Sequence, residues 1–189
     1  MDWGRIMKLV LGLFPLLVVM LAPSGGAFAG DSSQAPAMGQ FPPLTASNLA
    51  GQTLSLPADF GGRRNLLLIA FERRQQQNVD TWLHQMKRYE NVSGFHYFEL
   101  PTIERMNLVT RWFIDNGMRR GIPDPGQRAR TITLYLDKDP FCQSLRITDQ
   151  KQIYAVLVDP SGTVLWRAEG DFDEAKGASL AAALKRGAQ

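Results

Sequence analysis

The chain has 189 residues, 44% of them hydrophobic, which suffices for one domain with a sizeable core. Its 21 basic and 18 acidic side chains are too evenly balanced for a nucleic-acid binder, and no basic stripe is interleaved with aromatics. One cysteine, Cys142, excludes an internal disulfide and dithiol chemistry.

The first residues have the order of a secretory signal peptide. Arg5 and Lys8 precede an apolar run of fourteen, Leu9 to Ala22, and Ala27-Phe28-Ala29 supplies a small-x-small cleavage site. Residues 1–29 are therefore expected to be removed. The run is short for a membrane span, which takes about 20 residues, so the membrane is a partner only if this segment stays uncleaved. No cysteine lies at the cleavage site to carry a lipid. Removing Asp2, Arg5 and Lys8 leaves 19 basic and 17 acidic residues, a net charge near +2.

Residues 30–43, rich in Gly, Ser, Pro and Gln, read as a flexible lead-in to a domain over 44–189. Leu44 to Leu49 and Thr53 to Leu56 flank Ala50-Gly51 and predict a small hairpin. NLLLIAF, from Asn65, is a continuous apolar run, the pattern of a strand buried on both faces. Asn78 is placed to cap a helix that buries Val79, Trp82, Leu83 and Met86, and residues 91–94 break it. Phe95 to Leu100 reads as a strand ended by Pro101. A helix over about Glu104 to Arg120 is expected to bury Met106, Val109, Trp112 and Phe113, followed by an irregular loop through Pro123, Pro125 and Gly126. Thr131–Leu136 and Ile153–Val158 read as strands. Asp159-Pro160-Ser161-Gly162 reads as a turn, Thr163–Ala168 as an antiparallel return, and Phe172–Arg186 as a closing helix. This order gives a three-layer α/β sandwich, a mixed sheet with helices on both faces.

Three stretches carry a resemblance: FPPLTASNLAGQTLSLPADFGGRRNLLLIAF, IYAVLVDPSGTVLWRAEG and FDEAKGASLAAALKR. Together they resemble the thioredoxin-like superfamily, in its peroxiredoxin-related branch. Within it the chain is similar to the assembly factors for the membrane sector of mitochondrial ATP synthase and their bacterial relatives. There too a cysteine-free loop follows the first central strand, a strand like YFELP comes next, and the terminal hairpin carries a tryptophan such as Trp166. The resemblance implies a thioredoxin-like sandwich behind a short N-terminal hairpin, and a role in assembling an envelope or membrane complex. It also shows what is missing. Redox members need a low-pKa thiolate where the strand hands over to its helix and a second cysteine to resolve the mixed disulfide. Those positions fall within Glu72 to Gln77, and Ile153 stands where the resemblance implies a cis-proline.

The remaining chemistry is sparse. His84 and His96 have no ligand-type residue at metal spacing, Gly61-Gly62 precedes a strand instead of opening a helix, and Ser161 lacks an adjacent base. Glu169, Asp171, Asp173 and Glu174 fit capping electrostatics better than a calcium loop. No metal or cofactor is expected. Cys142 is either a buried small hydrophobe or a lone thiol, and the latter leaves a single-cysteine oxidoreductase or peroxidase as the alternative function. Arg73, Arg74, Gln75 and Gln76 are expected at the exposed end of the sheet. Trp112, Arg119 and Arg120 form a second basic and aromatic set, with the 119–130 loop expected nearby. Arginine and aromatics are favoured at binding surfaces, so these seven residues are the candidate face for a polypeptide client; an ordinary solvated loop is the competing reading. The leading expectation is an exported, redox-inactive binding factor.

Overall fold

A computed structural model describes residues 38–186; the expected signal segment 1–29 and the lead-in before residue 38 lie outside them. The expected hairpin forms as β1 (Leu44–Asn48) and β2 (Thr53–Leu56). Next come β3 (Arg64–Ala70), α1 (Gln76–Leu83), β4 (Phe95–Glu104), α2 (Leu108–Gly121), α3 (Pro125–Arg130), β5 (Ile132–Leu136) and α4 (Lys138–Ser144). The antiparallel pair β6 (Tyr154–Val158) and β7 (Val164–Glu169) and the closing helix α5 (Glu174–Lys185) finish the domain.

All seven strands join one mixed sheet in the order β2-β1-β5-β4-β3-β6-β7, with β3, β4 and β5 parallel and their neighbours antiparallel. β3 lies inside, and Leu66 to Ile69 are fully buried. Strand alternation splits them between two cores. Leu66 and Leu68 pack with Val79, Trp82, Trp166 and Leu180 beneath α1 and α5. Leu67 and Ile69 pack on the opposite face with Phe60, Phe98, Phe141 and Leu145. Register carries this alternation across the sheet: Leu68 pairs with Glu99, Ile103 with Tyr135, and Thr133 with Ser47. Glu99, Thr131, Thr133, Tyr135 and Ser47 therefore share the α1 face. Contacts from Gln127 to Glu99 and from Asp115 to Tyr135 put α3 and α2 there too, whereas α4 covers the other face. The three-layer sandwich with helices on both faces is as expected.

Several local expectations are corrected. Residues 38–43 are tied down instead of loose. Gln40 and Phe41 donate backbone N–H groups to Ser144 and Gly162, and Phe41 is wholly buried beside Phe60 and Phe141. Gly162 is required there, since its φ is 87° and a Cβ would stand 2.8 Å from the Phe41 carbonyl oxygen. Asn78 is not the cap of α1; its amide bonds Asp171, and the chain enters the helix through a 3-10 turn at Arg73–Gln75. Pro101 does not end β4. It is the last residue paired with β3, and on the other edge it lies between the Glu99–Thr131 bridge and the β5 pairing that starts at Thr102, so the missing N–H falls where the β3 ladder ends. The segment at 123–126 is not all irregular: Asp124 caps α3, with Pro125 at its first position. Helix α4, around Cys142, had no periodicity long enough to announce it.

Trp82 ties the α1 face together. It is fully buried, donates its indole N–H to the Gly170 carbonyl at 2.9 Å, and meets Trp166 and Phe172 edge-on at 6.1 and 5.1 Å. Trp82→Ala should cost about 3–5 kcal/mol in urea unfolding; a loss under about 1 kcal/mol would contradict this packing.

Candidate functional site

At the carboxyl end of β3 the backbone turns through Phe71 and Glu72 into the 3-10 turn. Gln75, expected at the surface, is buried. Its side-chain oxygen accepts the Phe71 and Glu72 N–H groups at 2.7 and 3.2 Å, and its amide donates to the Gln150 carbonyl at 2.8 Å. With the Glu72 carboxylate it forms a capping box, so this side chain closes the turn where the resemblance implies a thiol. Gln75 is therefore a structural residue, withdrawn from any docking role. Arg73 and Arg74 remain exposed, Arg74 paired with Glu72.

Gln76 reaches inward to Glu99 at 3.4 Å, and Gln127 of α3 reaches the same carboxylate at 3.3 Å. The 72–77 and 119–130 segments thus meet through Glu99, a residue passed over in the sequence although it is the one charge in YFEL. Glu99 is only 4% exposed, and its three side-chain donors, Thr131 being the third, are all long. Burial pushes its carboxyl above the usual range; the three donors oppose this, and the neighbouring Asp80 adds to it.

The second expected set behaves differently. α2 buries no residue, and Val109, Trp112 and Phe113 are 66, 60 and 65% exposed, not buried; Leu108 reaches 78%. Met106 is half-buried. The reason is the surface beneath. β5 alternates Ile-Thr-Leu-Tyr-Leu, giving its apolar side to the far core and Thr133 and Tyr135 to α2. The helix meets that surface with a mixed side, where Arg111, Asp115 and Arg119 make the polar contacts and Met118 lies against Thr133. Tyr135 donates its hydroxyl to Asp115 at 2.8 Å, Arg111 lies over the Tyr135 ring at 4.9 Å, and Arg119 donates to the Leu49 carbonyl at 2.9 Å. Burial, followed by the Asp115 carboxylate, raises the Tyr135 hydroxyl far above its ordinary pKa, so it stays a donor. The apolar stripe is left in water, where burying each side chain against a partner would contribute about 1.5–3 kcal/mol.

Beside this stripe runs a groove of about 490 Å³, walled by Arg105, Leu108, Arg111, Trp112 and Arg119 and floored by β1 and β5. Trp112 and Arg119 are thus brought together. Arg120 is exposed, and neither it nor Arg73 and Arg74 lines the groove. Leu108, which the sequence reading did not name, and Val109 and Phe113, which it placed in the core, are signalled as one exposed stripe by the LV..WF spacing.

Cys142 is buried on α4, on the face of the sheet opposite α1 and α2. Burial pushes its thiol up, Asp139 adds to this, and only Lys138 opposes it, the reverse of what a reactive thiolate needs. Among the described residues no three His, Cys, Asp or Glu side chains gather to hold a metal ion, and no helix is long and apolar enough to cross a membrane.

No protein-family model matches the chain, and no curated protein matches it. Solved structures do. A proposed electron transport protein from Aquifex aeolicus VF5 superposes with a TM-score of 0.57 at 11% identity, over 79% of this chain and 98% of that one. The exposed lipoprotein thioredoxin of Streptococcus pneumoniae TIGR4 gives 0.51 at 11% identity, over 77% and 99%. A proposed thiol:disulfide interchange protein DsbE from Chlorobium tepidum gives 0.51 at 16% identity, over 79% and 99%.

The buried Glu99 has a measurable consequence. A carboxyl with a raised folded-state pKa supports folding only while protonated, so its penalty grows as pH rises above the ordinary carboxylate value of about 4.3. The wild-type chain should lose urea stability relative to Glu99→Gln between about pH 4 and pH 7; a relative gain over that range would contradict the assignment. Shared architecture at these low identities is a likeness of fold: this chain has a thioredoxin-like fold.

Proposed function

We propose that this protein is a redox-inactive member of the thioredoxin-like superfamily that works by binding, as an assembly factor for a polypeptide subunit of an envelope or membrane complex. The observation that carries the reading is the β3–α1 turn, which Gln75 and Glu72 close with their own side chains. Thiol exchange needs an accessible thiolate at that point, and the chain's one sulfhydryl lies across the sheet, where burial raises its pKa. The exposed stripe on α2 supplies what a binding protein needs, a contiguous apolar patch rimmed by arginines. Export rests on the segment before Gly30, and assembly on the resemblance of the entry hairpin, the β6–β7 pair and α5. Arg73, Arg74 and Arg120 belong to this reading as outlying contacts.

The experiment is a thiol assay of the full chain and Cys142→Ser side by side, using dithiothreitol-driven insulin reduction and peroxide consumption. Both proteins should sit at the uncatalysed rate. Turnover in the wild type that vanishes in Cys142→Ser would overturn the binding reading in favour of a single-cysteine enzyme.

A further inference from the structure

Resting on the binding-protein reading above, we propose that the groove between α2 and the β1–β5 surface is the client site, and that its occupant is an amphipathic peptide segment with an apolar face flanked by carboxylates. The apolar half of the match is Leu108 and Trp112 on the groove wall, with Val109 and Phe113 on the crest beside them and Trp112 and Phe113 held edge-to-face at 5.0 Å. Leu108, Val109, Trp112 and Phe113 lie on one side of α2 within its first two turns, a spacing that a partner helix can engage with its own side chains.

The charged half is Arg105, Arg111 and Arg119 along the same wall. Among the described residues none of the three is in an ion pair with a carboxylate. Residues 104–130 hold six arginines against Glu104, Asp115 and Asp124, a local excess of +3 that equals the net charge of the whole chain. Two of those three carboxylates are engaged already, Asp115 by the Tyr135 hydroxyl and Asp124 by the backbone at the start of α3. A hydrogen-bonded carboxylate keeps its charge and Asp115 lines the groove, so the lining sets three arginines against one acid. Arg105 is the exposed one of the three, and carboxylates on the partner balance the remaining positive charge.

The shape favours a polypeptide over a lipid surface. The groove is concave, with a volume of about 490 Å³. Its floor includes Thr45, Ser47 and Thr133, whose hydroxyls suit peptide groups, and a flat bilayer would touch the crest and leave this floor empty.

The test uses the full chain and a fluorescein-labelled amphipathic peptide of about four helical turns, with leucines along one face and glutamates beside them. A matched peptide carries lysine in place of each glutamate. Fluorescence polarisation should show the glutamate peptide binding at least about tenfold tighter than the lysine peptide. Trp112→Ala and Arg105→Glu should each weaken it by about tenfold or more without lowering the melting temperature, since both side chains are exposed. Equal binding of the two peptides, or undiminished binding by Trp112→Ala, would overturn the proposal. So would capture of phosphatidylglycerol vesicles in place of the peptide, or a concentration-dependent dimer that Trp112→Ala dissolves. The parent reading fails on a separate readout, thiol turnover through Cys142, so the two failures are distinguishable.

Discussion

The seating of α2 on Tyr135 decides what this molecule shows to its surroundings. A helix normally turns its apolar stripe to the sheet, because burial of that stripe is most of what holds it. Here the sheet offers α2 a hydroxyl-rich surface, and the helix answers with Asp115, Arg111 and Arg119. Those contacts anchor it without consuming its hydrophobic side. The result is a helix whose attractive surface remains available, next to a groove that the same arginines line.

The other end of the argument is the turn after β3. The fold delivers its central strand to the surface there, and helix α1 begins at once, which is the geometry that activates a thiol in proteins of this architecture. This chain spends the position on structure. Gln75 satisfies two backbone donors and one distant carbonyl, locking the strand to the segment before β6. Close by, Glu99 joins Gln76 to Gln127, so α1 and α3 are linked through a buried carboxylate held by long hydrogen bonds. The thioredoxin-like frame is retained, and under the binding proposal above the interactive surface is α2 and not the strand end.

Most of the frame was legible in the sequence. NLLLIAF announced a doubly buried strand, and the Asp-Pro-Ser-Gly turn fixed β6 and β7. What failed were inferences that needed to know a neighbour. The LV..WF stripe on α2 reads as core to anyone who assumes an apolar surface beneath it. The alternation in ITLYL held the warning, since a strand with Ile132 and Leu134 on one side must give Thr133 and Tyr135 to the other. Gln75 looked like loop because nothing local reveals that its amide meets Gln150, seventy-five positions away. Pro101 looked like a terminator because where one ladder ends and its neighbour continues is a property of the sheet, not of the strand. The burial of Cys142, one of two outcomes left open, followed from its apolar surroundings.

The central claim is that α2 turns Leu108, Val109, Trp112 and Phe113 to solvent while Arg111, Asp115 and Arg119 face the sheet beside Met118, and thiol labelling tests it most directly. In a Cys142→Ser background, Val109→Cys and Met118→Cys place single reporters on the outward side and on the side facing Thr133. Under native conditions the position 109 thiol should react with a maleimide at the rate of an unfolded chain, and the position 118 thiol roughly tenfold more slowly. Protection at 109 equal to that at 118 would mean that the stripe is covered by the protein itself, and the docking face would not exist.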